Sequence, residues 1–350
     1  MKEGITSEKR KSSRPRQGWK RLETNAAGID VGSESHYVAV PADRDDHPVR
    51  VFGCLTPELH EMGRWLKACG VTTVAMESTG VYWVPVAQVL EQYGLDVKLV
   101  DATHVKNVPG RKTDVQDCQW LQELHSFGLL RGAFRPDDPI RVLRGYWRHR
   151  ACLVEQRSQQ IQRMQKALEQ MNLQLHKVLS DLVGVSGMRI LRAILSGERE
   201  GKALARLRHS TVKSGEERIA QALTGDWREE QLFALRQSVE LYDVYHEKLL
   251  DCDRAIEAYL QRFTTKGDGK TLKARRTPPN KPRKNQVSFD LRSELYRVTG
   301  VDLTQIDGID ALTAQTLVSE CGFDMSGFPA RSISPRGWDY VRTGGSPGVV

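Results

Sequence analysis

From residue 26 onward the apolar positions first recur with a period of two and then change to the three-to-four spacing of helices. Ala26–Val31 and His36–Pro41 read as a hairpin pair of strands and Val49–Cys54 as a third, because β-branched and aromatic residues alternate there between turn formers. Pro57–Cys69 reads as a helix ended by Gly70, Val71–Met76 as a fourth strand, Tyr82–Tyr93 as a helix closed by Gly94, and Asp96–Asp101 as a fifth strand. After the loop around Pro109-Gly110-Arg111-Lys112, Thr113 is placed to cap a helix running from Asp114 towards Phe127. Three strands followed by αβαβα predict an α/β layer fold with a mixed sheet rather than a doubly wound parallel one.

The second half changes character. Val154, Ile161, Met164, Leu168, Met171, Leu175, Val178 and Leu182 follow heptad spacing, interrupted only at Arg157. A 3.5-residue period over four heptads predicts a coiled coil, formed in cis or between protomers. Val183-Gly184-Val185-Ser186-Gly187 breaks it, and Trp227–Phe263 gives a second long helix with Leu232, Leu235, Val239, Tyr242, Tyr245, Leu249 and Cys252 on one face. Ahead of the heptads, Arg131–Arg150 is basic and carries Tyr146 and Trp147, a pattern that fits either a nucleic-acid-facing helix or an ordinary amphipathic one.

Composition narrows the class. With 39% apolar residues over 350 positions the chain can bury real cores, and two or three domains are expected. No run of eighteen apolar residues exists, and the basic N-terminus lacks an apolar stretch behind it, which argues against a membrane span or secretory signal. The six cysteines are scattered without a C-x-x-C pair, as expected of reduced thiols in a cytoplasmic protein. The net charge of +8 is concentrated: residues 1–25 carry eight Lys/Arg against three acids, and residues 266–284 carry eight against one, leaving the remainder of the chain at −4. Both segments read as grips for a phosphate backbone or as solvated linkers. The candidate contacts are Lys270, Lys273, Arg275, Arg276, Lys281, Arg283 and Lys284, with Arg111 and Lys112 in the earlier loop.

Four carboxylates carry the candidate chemistry. Asp30 sits inside the apolar strand Ala27-Gly28-Ile29-Asp30-Val31-Gly32, where an unpaired buried charge costs several kcal/mol and implies a cationic partner. Glu77 ends the fourth strand, and Asp114 and Asp117, spaced i and i+3, share a face of a helix's first turn. The helix dipole alone explains Asp114 and partly Asp117, but not Asp30. Four oxygen donors without nearby His or Cys suit octahedral Mg²⁺ or Mn²⁺, and two such ions can stabilise both oxygens of an in-line phosphoryl displacement.

The ordered trio Gly-Ile-Asp-Val-Gly, Met-Glu-Ser-Thr-Gly-Val-Tyr-Trp and Arg-Lys-Thr-Asp-Val-Gln-Asp resembles the DEDD transposases of bridge-RNA-guided insertion sequences, relatives of the Piv/MooV DNA invertases. The likeness spans about residues 26 to 330. It implies a RuvC-like (RNase H-type) catalytic domain in which Asp30, Glu77, Asp114 and Asp117 are the catalytic and metal-holding acids. It also implies a DNA substrate, a guide RNA, a homo-oligomer paired through the long helices, and a bacterial, nucleoid-associated location. The resulting layout is a basic disordered arm (1–25), the DEDD domain (26–150), a helical coiled-coil region (151–265) and a basic linker (266–290). Residues 291–330 then read as the start of the family's C-terminal transposase domain. Within it, Tyr296–Gly322 looks like a helix-hairpin-helix element with Asp310 in place of the second glycine, which argues against phosphate binding by that turn.

Residues 331–350 lose apolar periodicity and the family continuation. Codons for Ser332 to Gly348 can be chosen so that the register two bases on spells HFASWLGLCPDRRVTGG, which resembles that continuation. The expectation is an out-of-frame tail that removes the family's C-terminal catalytic serine, leaving a chain that binds nucleic acid without recombining it. Such a tail is also expected to expose Leu312, Leu317 and Val318. Two rival readings remain. An actin- or sugar-kinase-like ATPase would share Asp30-Val31-Gly32 but needs a second glycine-rich phosphate loop, and a non-catalytic nucleic-acid-binding coiled-coil protein would need only the basic segments and the heptads.

Overall fold

The computed structural model describes residues 20–77, 80–100, 114–268, 272 and 285–323. The chain divides into two compact units between Arg135 and Pro136. The boundary read from the sequence at residue 150 falls inside a continuous helix that belongs to the second unit.

The first unit contains β1 (Ala26–Val31), β2 (Ser35–Ala39), β3 (Val49–Gly53), α1 (Thr56–Ala68), β4 (Thr73–Glu77), α2 (Trp83–Gln92), β5 (Asp96–Val100) and α3 (Asp114–Ser126). The sheet order is β3-β2-β1-β4-β5. β1, β2 and β3 pair antiparallel, while β4 runs parallel to β1 and β5 parallel to β4, giving the mixed α/β sheet that the strand spacing predicts.

The two faces of this sheet are built differently. On one, Ile29, Val38, Val74, Met76 and Leu99 are buried with Met62 and Leu66 of α1 and Val86 and Leu90 of α2. Each such side chain contributes about 1.5–3 kcal/mol on leaving water, so this core carries most of the unit's stability. The other face is floored by small residues, Ala26, Gly28, Ala39 and Ala75, all buried and brought side by side by the register Gly28↔Ala39 and Gly28↔Ala75. Because only small residues lie around Gly28, α3 lies directly on the backbone there: a Cβ on Gly28 would stand 2.3 Å from the Gln122 amide nitrogen and 2.4 Å from the Cys118 carbonyl oxygen.

The second unit is helical: α4 (Asp138–Gln170), α5 (Leu175–Val178), α6 (Val185–Leu195), α7 (Gly201–Arg206), α8 (Glu216–Ala222), α9 (Glu229–Leu260), α10 (Leu291–Thr299), a 3₁₀ turn at Leu303–Gln305 and α11 (Ala311–Cys321). The long helices α4 and α9 lie antiparallel, since Arg150 pairs with Asp253 while Arg157 reaches back to His246. A core gathers at each end of this pair. At one end Met164 and Leu168 pack with Leu191, Ile194, Ile219 and Leu235; at the other Leu143, Trp147, Ile256 and Leu260 pack with Leu295 and Val318.

The heptad stripe does not stay on one helix. After Gln170 the chain turns through Asn172 at φ 54°, with Leu173 N–H bonding the Leu168 carbonyl and Asn172 N–H the Glu169 carbonyl. This is the double hydrogen bond of a Schellman cap with Asn in the left-handed position. Met171, Leu175, Val178 and Leu182 therefore lie beyond the break, buried in the first of these two cores rather than extending a seam. Val318 is buried and Leu312 and Leu317 pack against the other core, so these three side chains are not left open to solvent. Among the described residues no helix is long and apolar enough to cross a membrane.

Candidate active site

Asp30 and Glu77 are brought together by strand register. Ile29 is paired with Met76 in parallel strands, so the next residues, Asp30 and Glu77, stand side by side. Alternation turns both away from the large apolar core and onto the face that α3 covers. Asp30 is half-buried and Glu77 is buried.

The direction of α3 decides which of its ends meets them. Near its C-terminus, Gln122 Nε2 donates to the Ala26 carbonyl at 3.2 Å and the His125 ring meets the Thr73 hydroxyl at 2.9 Å, at the starts of β1 and β4. Cys118 crosses Gly28 midway. The helix thus runs antiparallel to both strands, and its first turn, with Asp114 and Asp117, points to the strand ends that carry Asp30 and Glu77. Burial, and then the charges of Asp30 and Asp117, push the Cys118 thiol up to about 12. The buried thiol donates to the Val115 carbonyl at 3.2 Å, and nothing around it activates it as a nucleophile.

The donor set is carboxylate alone, hard oxygen chemistry that fits Mg²⁺ or Mn²⁺. Among the described residues no three His, Cys, Asp or Glu side chains cluster as a metal site. The side chain of Asp114 lies outside the described residues, as do Arg111, Lys112, Lys270, Lys273, Arg275, Arg276, Lys281, Arg283 and Lys284.

One face of the basic, aromatic helix ahead of the heptads is turned inward, while Tyr146 on it is exposed. Trp147 is buried and its indole N–H donates to Thr316 Oγ1 at 2.9 Å; Arg148 holds the Glu320 carboxylate at 2.9 and 2.8 Å, and Arg144 bonds the Ser319 carbonyl at 3.2 Å. Arg150 is buried against Asp253 at 2.5 Å. Their positive charge fastens α11 and α9 to α4, in line with the amphipathic alternative. Before α11, Asp310 caps its own helix, accepting from Thr313 N and Oγ1 at 2.8 and 2.7 Å, so a carboxylate occupies the place an anion would take.

Two features escaped the sequence reading. One is the small-residue face under α3, whose signal is the two-residue spacing of Ala26, Gly28 and Asp30 set against Ala39 and Ala75. The other is the exposed pair Val81 and Tyr82 just after Glu77, hidden because Tyr82 reads as the apolar start of a helix.

Residues 27–173 match the family model of the DEDD transposase of IS110 elements, described as a transposase. No curated protein matches the chain. The five-stranded mixed sheet with its helices is consistent with the RuvC-like α/β domain that the motif trio implies. Residues 27–173 are thus similar to the DEDD transposase domain of IS110 insertion sequences.

Proposed function

We propose that this chain acts on DNA as a metal-dependent strand-cleaving and strand-transferring transposase, with Asp30, Glu77, Asp114 and Asp117 as its acid set. The observation that supports the reading is that register sets Asp30 beside Glu77, while the first turn of α3 is directed to the same end of the sheet. A transposase family supplies DNA as the substrate. Mg²⁺ or Mn²⁺ held by these carboxylates would offset charge on the attacking and leaving oxygens of the scissile phosphate. Asp30 and Glu77, fixed on strands, keep two donors rigid, whereas Asp114 and Asp117 depend on how α3 is seated.

The finer parts of the reading are the guide RNA, pairing of protomers through the long helices, and backbone contacts by Lys270, Lys273, Arg275, Arg276, Lys281, Arg283 and Lys284 with Arg111 and Lys112. The out-of-frame reading of Ser332 to Gly348 adds that this chain binds nucleic acid without recombining it. The test is strand cleavage on element-end DNA with guide RNA and Mg²⁺, comparing the chain, a version restored to HFASWLGLCPDRRVTGG and the downstream frame, and that restored version carrying Asp30→Asn. Metal-dependent cleavage lost in Asp30→Asn, with recombinant product only from the restored version, supports the reading. Cleavage that survives Asp30→Asn removes the acid assignment, and recombinant product from the unrestored chain removes the out-of-frame reading.

A further inference from the structure

We propose that Tyr82 is a base-stacking residue beside the cleavage site, and that the substrate this site takes is DNA with an unstacked base next to the scissile phosphate. The inference rests on the transposase reading above. It starts from an anomaly in exposure: Val81 and Tyr82 are 73% and 48% exposed, yet both belong to the connection that leaves Glu77 and enters α2.

The next residue is firmly held. Trp83 packs against the sheet core, with the Arg135 guanidinium 5.4 Å from its ring centre, and Arg135 is itself paired with Glu91 at 2.7 Å. Gly80 takes φ +58°, a left-handed turn that glycine adopts without strain, and a Cβ built there would lie 3.5 Å from the Tyr82 ring. The ring thus rests over glycine backbone, with the anchored Trp83 next in the chain. An exposed aromatic fixed in this way loses little freedom on meeting a flat ligand.

Its position names the ligand. Tyr82 immediately precedes α2, five residues after Glu77, which ends β4 beside Asp30 of β1. An exposed ring held in place beside the acids offers DNA a contact that does not depend on charge. Stacking of a base on an aromatic ring supplies one and tolerates any sequence. A base inside a continuous duplex has both faces covered, so only an extruded, frayed or branch-point base can use the ring.

The experiment uses the full chain and a four-way DNA junction carrying 2-aminopurine at the branch. Wild type and Tyr82→Phe should bind the junction and change the 2-aminopurine fluorescence alike. Tyr82→Ala should lose that change and bind about 5- to 150-fold more weakly, with the slope of log Kd against log salt unaltered, because stacking neutralises no phosphate. Junction binding and fluorescence unchanged in Tyr82→Ala, with wild type binding normally, would overturn this inference while leaving the transposase reading intact. A wild-type chain that binds no DNA overturns both. A Tyr82→Ala chain altered in sedimentation but not in junction binding assigns the ring to a protein contact and likewise overturns the proposal.

Discussion

Replacing Gly28 by alanine adds one methyl group at the closest approach in the first unit. That Cβ would meet the Gln122 amide nitrogen at 2.3 Å, the Cys118 carbonyl oxygen at 2.4 Å and the Gln122 Cα at 2.9 Å, all of them backbone that no rotamer change can move aside. Restoring ordinary contact near 3.5 Å requires α3 to lift by about 1 Å. Overpacking of this kind costs about 1–3 kcal/mol. The functional consequence should be larger, since α3 carries Asp114 and Asp117 while Gly28 shares its strand with Asp30. A misplacement of about 1 Å can cost about 100-fold in rate. Gly28→Ala should therefore melt a few degrees lower yet remain folded, and, in the version with the downstream frame restored, should cleave DNA about 100-fold more slowly. Gly145→Ala is the control: it lies inside α4 with nothing within 4 Å of an added Cβ, and should stabilise the helix by about 0.5–1 kcal/mol without changing cleavage. The reasoning fails if Gly28→Ala melts and cleaves like the parent, because α3 would then not be seated on that backbone.

The long antiparallel pair makes a second expectation. Arg150 and Asp253 are 6% and 3% exposed, and each also binds the incoming segment, Arg150 through the Asn285 and Gln286 carbonyls and Asp253 through the Ser288 amide. Arg150→Ala strands a buried carboxylate and should cost about 3–5 kcal/mol in denaturant unfolding, whereas a loss under 1 kcal/mol would contradict a closed, water-free pair. Between α10 and α11, burial alone would raise the Asp302 carboxyl, but hydrogen bonds from Arg292, Thr304 and Gln305 outweigh it and hold it well below the usual carboxylate range. A depressed folded-state pKa stabilises above the unfolded value near 4 and is lost as pH falls through the folded one. Asp302→Asn should accordingly lower Tm at pH 7, and the gap to the parent should close below about pH 4; a gap independent of pH would mean that packing, not charge, is what was removed.

The first unit was legible because its strands alternate and its helices end at glycines. Gly70 and Gly94 take φ +69° each, as the reading of two helix stops requires, and β1 spans Ala26–Val31 as the pattern predicts. What periodicity could not show was which face of the sheet is crowded: Ala26, Gly28, Ala39 and Ala75 read as weak strand formers, and only the register reveals that they make a floor for α3. The heptads misled for a physical reason. Apolar spacing reports burial, not continuity of one helix, and Asn172 supplies the left-handed cap with a side chain that sequence rules rank below glycine. Among the acids, Asp30 was conspicuous as a charge inside an apolar strand, whereas Asp117 became informative only once the direction of α3 was known. The arginines of α4 were ambiguous for the opposite reason, since a helix that binds phosphates and one that binds Glu320 and Asp253 carry the same residues.

The central claim is that the carboxylates at the sheet edge hold a divalent cation together. Calorimetric titration of the full chain with Mn²⁺, in the absence of DNA, tests it most directly. The parent should bind Mn²⁺ and gain Tm in proportion to the logarithm of its concentration, and Asp30→Asn and Glu77→Gln should each abolish both effects while melting no lower than the parent without metal. Equal binding heat and equal Tm gain in parent and both variants would place the ion elsewhere and contradict the account.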